Sequence, residues 1–333
     1  MVPAYVDATE THRSLHGTGS ADGAGAIGGL APALVASGGS FRTMGRRYDT
    51  VTLLTDYGLV DEFVGVMKSV LRDLAPHVAI VDLTHGITAY DVRGGALCLG
   101  RSVAYLPEGV VVAVVDPGVG TDRRAIAVEV ADGAGVFVGP DNGLLAPAVA
   151  LLGGAQRAVS LTNPDYRLDG DGGATFDGRD VFAPAAAHLC NGVDLLELGD
   201  EVDSSTLLPA AVPLPELTDG RLRGQVLWVD GFGNCQLNIG PDELDQIASG
   251  EDVVRLLVDG AASRTARRVT SFAELSQGAI GIVTDSYGML ALVLDRRSAA
   301  DELGLAVADD VTLAAIDDGD GRDDGVRVEL TSR

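Results

Sequence analysis

VTLLTDYGLVDEFVGVMKSVLRDLAPHVAIVDL, residues 51–83, is the stretch that sets the architecture. Val51–Thr55 is a short apolar run, closed by the turn residues Asp56-Tyr57-Gly58. Helical spacing then takes over, with Phe63, Val66, Met67, Val70 and Leu74 on one face of a helix over Phe63–Leu74. Val78–Leu83 returns to a strand. The alternation continues with a helix over Val92–Tyr105 and the β-branched run Val110–Val115. Strands alternating with helices imply a mostly parallel sheet covered on both faces.

This pattern runs to about Leu207, after which Pro209, Pro213 and Pro215 mark a linker. Beyond it, Gly224–Val229, Val253–Val258, Ala279–Thr284 and Met289–Val293 read as strands joined by short turns. The fold class expected is α/β: an N-terminal α/β domain over 49–207, a linker over 208–221 and a smaller, mainly β domain over 222–316. An acidic segment, 317–333, ends the chain. Residues 1–48 are rich in Gly, Ala and Ser, have no period, and read as a disordered tail, with Met44 a candidate alternative start. GAGAIG at 23–28 fits the spacing of a dinucleotide loop, but a polar run precedes it where a strand is required.

Charge narrows the partners. Asp and Glu outnumber Lys and Arg 48 to 24, for a net charge of −24, and Lys68 is the single lysine. Such a surface repels nucleic acid, and reads as an adaptation to a salt-rich cytoplasm. No window offers the roughly 18 uninterrupted apolar residues of a membrane span, so no membrane partner is expected. Cys98, Cys190 and Cys235 are far apart and form no CxxC pair, which fits a cytoplasmic chain without a disulfide framework. No metal-ligand spacing is present.

Polar clusters fall at the C-terminal ends of the expected strands, where parallel sheets bind ligands. Asp56 and Asp61 follow the first, and Asp82-Leu83-Thr84-His85 ends the second. VDPGVGTDRR (115–124), GPDNG (139–143) and TFDGRD (175–180) follow later ones. Asp82 and His85 read as turn caps, Asp141 and Asn142 as either turn formers or ligands, and His188 as a packed helix residue.

Taken with VDGFGNCQLNI (229–239) and DSYGML (285–290), these segments resemble the S-adenosyl-L-methionine hydroxide adenosyltransferase family, whose relatives are the fluorinase and chlorinase enzymes. The resemblance covers roughly residues 50–315. It implies a β-barrel-like C-terminal domain, a homotrimer with sites between subunits, and S-adenosyl-L-methionine (SAM) as substrate with no separate cofactor. Asp56 matches the carboxylate that binds the ribose hydroxyls. Asp61 and Asp230 match acids near the methionine amine, and Ser286 a donor near its carboxylate. Tyr90 matches a ring packed on the nucleoside, or else is an ordinary core aromatic. Phe232 and Asn234 match residues that hold adenine, and Phe176 lies near the reacting carbon. Gln236 stands where the fluorinase has an aromatic residue.

The implied reaction is attack of water at C5′, releasing adenosine and L-methionine. Hydroxide-transferring members use an aspartate, an arginine seven residues later and a histidine in TFHGRD. Asp116 and Arg123 match the first two, while Asp177 stands in place of the histidine. Three readings follow: Asp177 replaces the histidine as acceptor for water, it shares a proton with Asp116 beside Arg123, or the activity is weak or altered. Halide-dependent adenosyl transfer and non-catalytic binding of SAM or adenosine are the competing functions.

Overall fold

The computed structural model describes residues 45–168, 173, 175–258 and 261–316. Residues 1–44 of the expected tail, with GAGAIG and Met44, and the acidic segment 317–333 lie outside the described residues.

The N-terminal half runs β1 (Thr50–Thr55), α1 (Phe63–Leu74), β2 (Ala79–Thr84), α2 (Val92–Ser102), β3 (Gly109–Val114), β4 (Ala125–Val130), β5 (Gly135–Pro140), α3 (Ala146–Leu151), β6 (Arg157–Ser160), α4 (Ala183–Cys190) and β7 (Asp200–Glu201). These strands form one sheet in the order β2-β1-β3-β5-β4-β6-β7. β2, β1, β3 and β5 run parallel, while β4, β6 and β7 extend the sheet in antiparallel pairings. All of β3 is buried, and its alternate residues serve two cores. Val110, Val112 and Val114 pack with Met67 and Leu71 of α1 and the alanines of α4. Val111, Ala113 and Val115 pack with Ala96 and Leu99 of α2 and Ala148 of α3.

Two details differ from the periodicity. The buried face of α1 is Val64, Met67 and Leu71, with Val70 and Leu74 flanking it. Phe63 leaves that face because its ring turns to Tyr57 and Phe176 in neighbouring loops. The helix expected over Val92–Tyr105 is α-helical to Ser102 and closes in a single 3₁₀ turn, Val103–Tyr105. Pro107 lies just beyond and cannot extend it.

The C-terminal half runs β8 (Glu216–Thr218), β9 (Arg221–Val229), β10 (Cys235–Leu237), α5 (Pro241–Ala248), β11 (Val253–Val258), β12 (Arg264–Arg268), β13 (Ile280–Thr284), β14 (Leu290–Leu294), α6 (Ala299–Leu303) and β15 (Asp310–Ala314). Pairing of β10 with both β9 and β14 closes a barrel of seven strands, with β8 attached outside the ring at β9. Closure leaves the ring without a free edge. Its interior is filled by residues such as Val226, Leu237, Leu256, Leu292 and Leu313, with Leu244 of α5 as a plug.

Helix α2 fastens the barrel to the sheet. Arg93 Nη1 donates to Gln225 Oε1 at 2.6 Å, and Arg101 Nη1 donates to Gln236 Oε1 at 2.9 Å. Gly94 lets Trp228 approach, since a Cβ there would lie 3.2 Å from the indole. Among the described residues, no helix is long and apolar enough to cross a membrane.

A second glycine is essential at the centre of the sheet. A Cβ on Gly139 would stand 2.2 Å from the Ala113 carbonyl oxygen, a backbone atom that cannot turn away. Gly139→Ala is therefore expected to cost about 3 kcal/mol of stability by forcing β3 and β5 apart. Urea denaturation checks this; an unchanged midpoint would mean that the strands shift freely.

Candidate active site

The strand ends of β1 and β3 lie side by side; Asp56 follows β1 directly, and Asp116 follows β3 after Val115. The Asp56 N–H donates to the Val114 carbonyl at 3.3 Å, which sets the two loops in register. The loop after β3 turns at Gly120, whose φ is +77°, and folds Arg123 back over Asp116. Arg123 Nε lies 3.0 Å from each Asp116 oxygen, and its Nη2 donates both to Asp116 and to Asp177. The side chains of Asp116, Arg123 and Asp177 are 5%, 12% and 18% exposed, so most of this charge is out of water. Burial works against the charge on Arg123. Hydrogen bonds and the charges of Asp116 and Asp177 more than offset it, so the guanidinium pKa is raised. One cation faces two acids, which leaves the cluster short of positive charge.

Asp177 reaches the cluster through an irregular turn. Gly178–Phe182 is a π-helical turn that leads into α4. Such turns are often found at functional sites, because the extra residue re-aims a side chain. Phe176, just before it, packs edge-on against Phe63 with centroids 5.1 Å apart and against Tyr57 at 5.8 Å. Arg179 lies over the Phe176 ring and pairs with Asp180 through Nε at 2.6 Å.

Asp56 is partly exposed at the tip of β1. Its Oδ2 accepts the Tyr90 N–H at 2.9 Å, and Oδ1 has no hydrogen-bond partner among the described residues. Tyr90 has φ of +68° and is 73% exposed, so it is not a core aromatic. Asp61 is exposed in the loop before α1.

The β1 loop is braced from behind. Thr55 Oγ1 accepts the Tyr57 N–H at 3.2 Å and bonds His85 Nδ1 at 2.9 Å, while the Gly58 N–H donates to the His85 carbonyl at 2.8 Å. His85 Nε2 meets Asp82 Oδ1 at 3.0 Å, and Lys68 Nζ meets Asp82 Oδ2 at 2.6 Å. Burial pushes the Asp82 carboxyl up, but its hydrogen bonds from Lys68 and His85 outweigh this and hold its pKa low. His85 is therefore buried as a strut between two strand ends, more than the local turn cap its position suggests.

Asp141 and Asn142 are structural. Asp141 pairs with Arg124 and accepts the Leu208 N–H at 2.9 Å, while Asn142 bonds the Val115 carbonyl at 2.9 Å. His188 packs edge-on against Tyr166 within the helix layer.

The barrel carries the remaining residues. Asp230 Oδ1 accepts N–H groups of Phe232 at 2.8 Å and Asn234 at 2.9 Å, and its Oδ2 accepts Asn234 Nδ2 at 2.8 Å. Asp230 thus shapes the loop that presents the amide of Asn234 and the side chain of Phe232, a residue 83% exposed. Asp230, Asn234 and Ser286 line one cleft of about 530 Å³, and Phe232 and Asn234 line a second of about 450 Å³. Neither cleft is lined by Asp56, Asp116 or Asp177. Gln236, which stands in place of an aromatic residue, is held between Arg101 and Asp285 at the first cleft, and Arg101 lies 4.9 Å from the Trp228 centroid and 5.1 Å from that of Tyr287. The motifs alone point to none of Tyr57, Phe63, Arg101 and Tyr287 as site residues, although Tyr57 sits inside TDYG.

Comparison with known proteins agrees with this arrangement of parts. The SAM hydroxide adenosyltransferase N-terminal domain matches residues 51–199, and the C-terminal domain of the same family matches residues 224–312. The (R)-S-adenosyl-L-methionine hydrolase of Salinispora tropica is 43% identical over 80% of this chain and 97% of its own length. A fluorinase from an Actinoplanes species is 29% identical over 73% of this chain and 89% of its own. A solved structure of a conserved protein from Thermotoga maritima superposes with a TM-score of 0.71 at 32% identity, covering 79% of this chain and 99% of that one. With both domains matched in order across the sheet and the barrel, the chain belongs to the SAM hydroxide adenosyltransferase family.

Proposed function

We propose that this protein hydrolyses SAM, with water attacking C5′ of the ribose to give adenosine, L-methionine and a proton. The single observation that carries the reading is the Asp116–Arg123–Asp177 cluster, set beside Asp56 at adjacent strand ends. The 43% identity to a SAM hydrolase supports the same activity. SAM and water are the only reactants the balance requires.

Asp56 accepts the two ribose hydroxyls, since a carboxylate has acceptor sites for both. Tyr90 and Phe232 supply exposed rings for the nucleoside, and the Asn234 amide reads adenine. Phe176 walls the reacting carbon. Asp61, Asp230 and Ser286 hold the methionine amine and carboxylate. The C5′–S bond breaks with its electron pair going to sulfur, so the sulfonium charge disappears as the C–O bond forms. The attacking water loses its proton to the Asp116/Asp177 pair, which Arg123 holds in place. Two carboxylates at the nucleophile position also repel halide. Mass spectrometry of products, with and without molar chloride, tests the reading. Adenosine in both cases is expected; 5′-chloro-5′-deoxyadenosine, or intact SAM, would overturn it.

Asp177 is the acceptor that replaces the family's histidine. Asp177→His is expected to retain or raise turnover. Asp177→Ala lowers it about tenfold or more and opens the site to chloride. Equal turnover in Asp177→Ala and the parent, with no chlorinated product, would reduce Asp177 to a turn residue.

We also infer a homotrimeric, cytoplasmic, salt-adapted protein. The family resemblance and the separation of the sheet cluster from the barrel clefts support sites shared between copies. Sedimentation equilibrium at three times the chain mass checks this. With a net charge of −24, the thermal midpoint should climb steeply between low and molar salt as repulsion is screened. A flat midpoint would sink the salt adaptation.

A further inference from the structure

The charges of Asp56, Asp116 and Asp177 all act on the hydroxyl of Tyr57, which has no hydrogen-bond partner among the described residues. Its ring is fixed by edge contacts with Phe63 at 5.6 Å and Phe176 at 5.8 Å. Its N–H is tied to Thr55, so the backbone is fixed as well. The hydroxyl points at the start of the π-helical turn, because a Cβ on Gly178 would lie 2.8 Å from it. Gly178 directly follows Asp177, and the glycine is what leaves room for the phenol.

We propose that Tyr57 is a further catalytic residue of this site, its hydroxyl donating a hydrogen bond to the attacking water in place of the donor lost when Asp177 replaced the family's histidine. The inference rests on the hydrolytic reading above. A histidine can both accept and donate, whereas a carboxylate only accepts. Arg123 Nε and Nη2 are already engaged by the two acids. The water oxygen gains negative charge as its proton passes to the acid pair, and two nearby carboxylates make that unfavourable. A fixed neutral donor offsets the charge and turns one lone pair away from the acids towards C5′. The phenol stays a donor, because burial, then the charges of Asp56, Asp116 and Asp177, push its pKa well above the usual tyrosine value.

The test is Tyr57→Phe, which removes only the oxygen. We expect kcat for adenosine formation to fall tenfold or more, with KM for SAM within twofold and the thermal midpoint unchanged. In the Asp177→His background, where a ring N–H is restored, the same substitution should cost less than threefold. A packing role would move KM or the thermal midpoint and cost as much in both backgrounds, and that result would overturn the proposal. So would a Tyr57→Phe kcat within twofold of the parent. Failure of the hydrolytic reading looks different, since the parent protein would then release no adenosine.

Discussion

Asp116→Ala should lower kcat for adenosine formation by about 10²- to 10⁴-fold, the range for loss of a positioned proton acceptor. Affinity for SAM should stay within about threefold, because the acid acts on water and gains its main interaction in the transition state. Asp116 is the most buried member of its cluster, and its two oxygens hold Arg123 by Nε at 3.0 Å each. Removing it leaves Arg123 paired with Asp177 alone, so the charge stays compensated and the loop need not unfold. The fold is therefore expected to survive, and the loss should fall on kcat. Chromatographic assay of adenosine release, alongside calorimetric titration of SAM, separates the two quantities. Parental turnover in both Asp116→Ala and Asp177→Ala would place proton transfer elsewhere.

The positions that the motifs identify are those where one strand end carries its own chemistry. Asp56 and Asp116 each follow a run of apolar strand residues, so alternation and the turn place them before any contact is known. Joining Asp177 to Arg123 required the family pattern, since 54 residues separate them in the chain. Tyr57, Phe63 and Phe176 meet only because two loops and the first turn of α1 converge, and helical periodicity assigns Phe63 to the wrong neighbours. The strand Ala125–Val130 is equally hard to read from spacing. Too few residues separate β3 from β4 for a crossover helix, so β4 inserts antiparallel beyond β5. Barrel closure depends on β10, which spans just Cys235–Leu237 and carries no alternation long enough to detect. The strut through Lys68, Asp82, His85 and Thr55 is invisible for another reason: it links four side chains across three elements.

Asp56→Ala should have the largest effect on binding. Each hydrogen bond from a hydroxyl to a carboxylate contributes about 1.5–3 kcal/mol where water is excluded. Losing both ribose contacts should cost about 3–6 kcal/mol, roughly 10²- to 10⁴-fold in Kd for SAM. A second consequence follows from the Tyr90 N–H, which donates to Asp56 Oδ2 at 2.9 Å. Tyr90 sits at φ of +68°, a conformation that a non-glycine residue keeps only when something holds it. Without Asp56, Tyr90 is released from that geometry and its exposed ring no longer stands ready for the nucleoside. Asp56→Asn separates the two effects. Its amide oxygen still accepts the Tyr90 N–H, while its NH₂ replaces the acceptor that faces the ribose, so it should bind SAM with intermediate affinity. Adenosine, which shares the ribose but lacks the methionine, should lose affinity in the same ratio as SAM. If calorimetry finds either ligand bound by Asp56→Ala within threefold of the parent, the ribose does not lie at the end of β1, and the pose of the substrate across the strand ends must be redrawn.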